Sequence, residues 1–107
     1  MNDLGLKKEI ILEINSKINN YSNIQKATVF GSRAMGNHKQ YSDVDIAIFG
    51  NLNDLELESL RLDLDELYII YKLDLVEYDR ISNLELKEHI DRVGVEIYNR
   101  NGAEEGI

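Results

Sequence analysis

A chain of 107 residues is the size of one domain, and its 43% apolar content is enough for a hydrophobic core. It contains no cysteine, which excludes disulfide frameworks, Cys-based zinc sites and thiol nucleophiles. Twelve basic against 20 acidic residues leave a net charge of −8, a surface that repels phosphate backbones, disfavours long DNA or RNA and suits a basic protein partner.

The first residues, Met1 to Glu9, are polar and charged without an apolar h-region, and no stretch approaches membrane-spanning length, so a cytoplasmic protein is expected. Leu4 to Ile18 carries apolar residues at 6, 10, 11, 14 and 18, the period of an amphipathic helix. A turn over Asn19, Asn20, Ser22 and Asn23 follows, then a short buried strand, Ala27 to Phe30, stopped by Gly31. Ser32 to Met35 starts a short helix closed by Gly36 and the polar run Asn37 to Gln40. Asp43 to Phe49 is a second strand, ended by Gly50 and Asn51. Asn53 or Asp54 can cap the next helix, which is expected to run to about Tyr71 with Leu55, Leu60, Leu64 and Leu67 facing inward. Leu73 to Tyr78 is a third strand. Ser82-Asn83-Leu84-Glu85 fits a capping box, opening a helix through Val93 that Gly94 terminates, and Val95 to Tyr98 is a fourth strand. The alternation of helix and strand predicts an α/β or α+β fold, one mixed sheet covered by helices.

Chemistry concentrates in Gly31-Ser32-Arg33-Ala34-Met35-Gly36 and Ser42-Asp43-Val44-Asp45. Side chains at i and i+2 of a strand share a face, so Asp43 and Asp45 project together where that face leaves the core. Two adjacent carboxylates repel unless a cation or protons lie between them, and a hard ion such as Mg²⁺ fits, with substrate phosphates. The same spelling is also that of a polar strand end. Asp63-Leu64-Asp65 repeats it inside a predicted helix, where positions i and i+2 lie about 200° apart and cannot share an ion; Asp63, Asp65 and Glu66 are expected on a solvated face. Gly31-Ser32 adds backbone N–H groups and a hydroxyl at a strand-to-helix turn, an arrangement suited to an anion. Arg33 is a charge for a phosphate or for a structural carboxylate.

Gly31-Ser32, ten intervening residues, then Asp43-Val44-Asp45 resembles the signature of the polymerase β-like nucleotidyltransferase superfamily, and the fuller run resembles its minimal (MNT) branch. The resemblance covers nearly the whole chain and implies the palm of that superfamily, with 1–107 as a single minimal nucleotidyltransferase domain; the low apolar content of about 99–107 predicts a frayed tail. It implies a third carboxylate from a later strand, which Asp74 matches in Lys72-Leu73-Asp74-Leu75-Val76-Glu77. Alternation puts Asp74 on the face of Val76 and Tyr78 and Glu77 on the other; Glu77 or Asp79 replaces Asp74 if the register differs. By the same resemblance, Asp43, Asp45 and Asp74 hold two Mg²⁺ ions and catalyse transfer from ATP, Gly31, Ser32 and Arg33 bind the nucleotide, and Asp74 accepts the nucleophile's proton. His38 is expected as a solvated loop histidine, His89 on the surface of the last helix, and Tyr41 either at the pocket or packed under its loop.

Larger relatives bind the acceptor through a second domain, for which these 107 residues leave little surface, so a partner chain is expected. The resemblance implies a helical HEPN-type toxin as that partner, in a hetero-oligomer in which this chain is the antitoxin and transfers AMP to a toxin tyrosine, masks the toxin, or does both. Transfer to nucleic acid or a small molecule is the remaining reading.

Overall fold

The computed structural model describes residues 4–101. In chain order its elements are α1 (Lys8–Ile18), β1 (Ile24–Phe30), α2 (Ser32–Met35), β2 (Val44–Gly50), α3 (Asp54–Asp65), β3 (Leu73–Glu77), a 3₁₀ turn (Tyr78–Arg80), α4 (Leu84–Val93) and β4 (Val95–Asn99). The four strands form one mixed sheet in the order β3-β2-β1-β4. β1 runs antiparallel to β2 and β4, while β2 and β3 are parallel. This is the expected α+β architecture.

Alternation along the strands divides the core in two. Ala27, Val29, Ile46, Ile48 and Leu75 face Ile14 and Ile18 of α1 and Leu60 and Leu64 of α3, in a cluster of sixteen buried apolar residues. On the opposite face Phe30 and Ala47 pack against Ile90 of α4, a buried cluster of only three. The thick layer carries most of the apolar burial that stabilises the domain.

Several boundaries differ from expectation. α1 starts at Lys8 rather than Leu4, because Leu4 and Gly5 have positive φ; Leu4 and Leu6 are nevertheless buried. α3 ends at Asp65, not near Tyr71. The Tyr68-Ile69-Ile70-Tyr71 run is β-branched and aromatic, poor in helix propensity, and Lys72 must already be extended so that its carbonyl accepts from Val44 N–H at 2.9 Å. Leu55 points outward at 79% exposure: the inward stripe is Leu57, Leu60, Leu64 and Leu67. Asn53 caps α3 in a full capping box with Glu56. For α4 the cap is Asn83, not Ser82; its side chain accepts from the N–H groups of Glu85 and Leu86.

At the C-terminal end, Asn99 completes β4, and the Arg100 guanidinium donates to the carbonyls of Ile24 and Tyr21, both at 2.9 Å. Of the tail expected to fray, residues 102–107 lie outside the described residues. Among the described residues, no helix is long and apolar enough to cross a membrane.

Candidate nucleotide and metal site

The sheet register assembles the site. Asp45 lies directly opposite Phe30 on β1 and opposite Asp74 on β3. Residues opposite one another share a face, so Asp45 and Asp74 project side by side toward the α4 layer, and Gly31, next after Phe30, stands beside them. Asp43 immediately precedes β2 and is exposed. Burial, and then the Asp74 and Asp43 carboxylates, push the Asp45 carboxyl above its ordinary value of 3.8, while His89 opposes the rise. Two acidic neighbours thus act on Asp45 at the end of the sheet where β1 finishes and β2 and β3 begin. Glu77 is excluded from the group: it lies on the opposite face, buried, and binds Arg80 at 3.2 Å. Asp79 is beyond the strand in the 3₁₀ turn.

The Gly31–Ser32 turn meets these carboxylates at close quarters. Gly31 has φ +75° and ψ −151°, a conformation that only glycine adopts readily. A Cβ there would also fall on Asp45 Oδ2. Glycine is therefore required twice over, by the backbone and by the carboxylate behind it. Ser32 opens α2 and is half-buried, and Gly36 at φ +80° closes the helix after a single turn.

Arg33 is where the structure departs most from the expectation of a nucleotide contact. Its side chain is buried, with 1% exposure, and points into the protein. Nε and Nη2 donate to Ser42 O at 3.1 and 2.9 Å, Nη2 also to Gln40 O, and Nη1 to the carbonyls of Leu4 and Gly5. The guanidinium lies 4.6 Å over the Tyr71 ring. Five rigid donors match this set of backbone acceptors better than any carboxylate partner would. Arg33 thus ties the Gly31–Ser32 turn to the residue before Asp43 and to the segment leading into β3. Ser42 shares the work, its hydroxyl accepting from Lys39 N–H at 2.8 Å.

Other positions also differ. His38 is half-buried beside Gly5, with Nδ1 buried and without a hydrogen-bond partner, rather than solvated. Tyr41 is 62% exposed and does not line the cavity that opens beside Asp74. Asp63 is not simply solvated, since Tyr21 donates its hydroxyl to it at 2.6 Å, whereas Asp65 and Glu66 are exposed. His89 is half-buried within the site: its Nε2 accepts the Gly31 N–H at 3.2 Å, and its ring meets Phe30 edge-on. The periodicity of α4 carried this information, because Leu86, His89, Ile90 and Val93 fall at i, i+3, i+4 and i+7 on its inner face.

A cavity of about 340 Å³ opens beside Asp74, between α3 and the outer edge of β3, lined by Arg61, Leu64, Asp65, Lys72, Leu73 and Leu75. Lys72 Nζ is 3.9 Å from the Asp74 carboxylate. Among the described residues no three carboxylate or imidazole groups are drawn together tightly enough to hold an ion as they stand. The chemistry of the donors nonetheless fits a hard divalent cation, which would turn repulsion among the aspartates into shared attraction.

No curated protein sequence matches the chain. Solved structures do share its fold. A toxin-antitoxin complex with AMP-PNP aligns at a TM-score of 0.68 and 22% identity, covering 94% of this chain and 79% of that one. The toxin-antitoxin MntA-HepT gives 0.65 and 19%, covering 92% and 78%. The tri-AMPylated HEPN toxin of Shewanella oneidensis in complex with MNT antitoxin gives 0.59 and 20%, covering 90% and 77%. The family model for polymerase beta, nucleotidyltransferase matches residues 12–103. That span takes in the Gly31–Ser32 turn, both aspartate strands and α4, and the chain belongs to the polymerase β nucleotidyltransferase family.

Proposed function

We propose that the chain is an antitoxin nucleotidyltransferase that moves AMP from ATP to a hydroxyl, a tyrosine in the first instance, of a HEPN-type partner. The observation that carries this reading is the Asp45–Asp74 pair facing the Gly31–Ser32 turn, in a fold shared with toxin-antitoxin complexes, one bound to AMP-PNP and one holding an AMPylated toxin. In this proposal residues 1–107 work as one domain in the cytoplasm, where ATP is abundant.

Asp43 and Asp45 would hold Mg²⁺ together with Asp74, and the bound ions would neutralise charge on the attacking and leaving oxygens. The chain's own groups divide the remaining work. Ser32 and the adjoining backbone orient the triphosphate, and Asp74 takes the proton of the acceptor hydroxyl. That oxygen attacks the α-phosphorus, the bond to the bridging oxygen breaks, and pyrophosphate leaves. In this reading the acceptor approaches Asp74 from the outer edge of β3, where the cavity opens. Arg33 has no direct part and holds the two halves of the site in register.

A specific partner needs a surface of about 800 Å² on each side. Met35, Tyr41, Leu55, Leu62, Tyr68 and Ile70 are all exposed apolar residues in the segments 35–41 and 53–71. α3 adds five acidic residues against one basic, which suits a nuclease whose RNA-binding groove is positive. The test is intact mass of the neighbouring gene product after incubation with this chain, ATP and Mg²⁺. A gain of one adenylyl group or more on the partner is expected, and none with D74N. Co-purification without any mass gain would favour masking alone. No complex, with transfer to a small molecule, would overturn the antitoxin reading.

A further inference from the structure

The imidazole of His89 is used in a way that packing does not require. Its neighbour Ile90 is buried at 2% exposure, and the Ile90 carbonyl accepts from Gly94 N–H at 2.8 Å, so the end of α4 is fixed without help from the histidine. From that fixed base the ring crosses to β1, lies edge-on to Phe30 and offers its Nε2 lone pair to the Gly31 N–H. A ring nitrogen that accepts does so through its lone pair, so this contact uses the Nε2 lone pair of the imidazole. Gly31 is thereby held from two sides, the imidazole on its N–H and the Asp45 carboxylate against its Cα.

We infer that His89 is a positioning residue for nucleotide binding: it fixes the Gly31 peptide so that the Ser32 hydroxyl and the carboxylates of Asp45 and Asp74 face the same phosphates. Glycine at φ +75° is intrinsically free to relax elsewhere. Without an acceptor for its N–H, the turn loses the bond that selects this conformation, and binding must supply the ordering. The inference rests on the nucleotide reading above and adds α4 to the site.

The probe is Mg²⁺·AMP-PNP, titrated calorimetrically into the full chain and into three variants, with melting temperatures measured in parallel. H89L fills the space but cannot accept a hydrogen bond, and H89A does neither. H89Q keeps an acceptor oxygen within reach. H89A and H89L should each weaken binding about fivefold, the scale of one neutral hydrogen bond. H89Q should recover most of that affinity, and the melting temperature of H89L should stay close to that of the wild type. Equal affinity of H89L and wild type would overturn the inference, because packing alone would then suffice. Tighter binding by H89A would also overturn it, showing that the ring competes with phosphate for the Gly31 amide. Failure of H89Q to recover any affinity would do the same. A wild-type chain that fails to bind Mg²⁺·AMP-PNP would instead remove the nucleotide reading itself, and this inference with it.

Discussion

Asp45→Asn isolates electrostatics from chemistry. Asp45 stands opposite Asp74 on adjacent strands, and Asp43 lies close enough to raise its pKa further. Neighbouring strands are about 4.8 Å apart. Charges about 5 Å apart repel by about 0.8 kcal/mol in water and about 3 kcal/mol at an effective dielectric of about 20. Asp45 is half-buried and Asp74 has 48% of its side chain exposed, so the lower end applies. Removing the Asp45 charge should therefore stabilise the metal-free protein by about 1 kcal/mol, or about 4 °C in melting temperature. A raised folded-state pKa means that the folded protein holds this proton more tightly than the unfolded chain does. The penalty is therefore absent below the ordinary value of 3.8, accrues as pH rises above it, and is complete above the raised folded value. Melting followed by circular dichroism in EDTA at low salt, at pH 7 and again toward pH 4, reads this directly. The gain should shrink toward pH 4 and in about 1 M salt, where screening acts within about 3 Å. A melting temperature that falls at pH 7, or a gain indifferent to pH and salt, would refute the reasoning and make Asp45 a structural residue.

Asp74→Asn should abolish nucleotide transfer while leaving the melting temperature equal or raised, because it relieves the same repulsion at Asp45 and gives up only the exposed Lys72 contact at 3.9 Å, measured by partner mass gain and thermal melts side by side. Arg33→Met should lower stability by about 3 kcal/mol or more in urea titrations, because it removes the buried guanidinium's hydrogen bonds to the carbonyls of Leu4, Gly5, Gln40 and Ser42; a stable variant that merely loses nucleotide affinity would return Arg33 to the phosphates. Gly31→Ala should eliminate AMP-PNP binding and cost about 1 to 3 kcal/mol, since both φ +75° and the Asp45 carboxylate oppose a Cβ. Asp63→Asn should leave transfer intact and cost at most about 1 kcal/mol through the weakened bond from Tyr21.

The strand pattern was legible because period-two alternation is a local property, and Asp45 and Asp74 stand on the strand face that alternation assigned, whereas Asp43 lies just before β2. The pairing of Asp45 with Asp74 depended on β2–β3 register, which alternation alone does not set. What sequence missed depends on where long side chains travel. Nothing local says that Arg33 turns inward to carbonyls up to 29 positions away, and a Gly-Ser-Arg run beside a supposed phosphate invites the outward reading. His89 was recoverable from α4 periodicity, but its partner is a backbone amide 58 residues away. Overextension of α3 came from following the leucine period past Leu67 into residues whose side chains resist helix. Asp63 shows the limit of the opposite kind: its distance from any ion site follows from helix geometry, yet its bond to Tyr21 comes from tertiary packing of α3 against the turn after α1.

The unequal thickness of the two core layers has a dynamic consequence. Sixteen buried residues fasten α1 and α3 to one side of the sheet, while α4 is held on the other by a cluster of three. Backbone amides in β1 and β2 should exchange with deuterium only through global opening, whereas those of α4 can exchange through a smaller excursion that leaves the main layer folded. The aspartates and the Gly31 turn lie under that looser lid. A ligand that bridges the turn and the carboxylates would narrow the difference in protection between the two layers, so the slowing of α4 exchange on adding nucleotide measures how firmly occupancy of the cleft fastens this helix to the sheet.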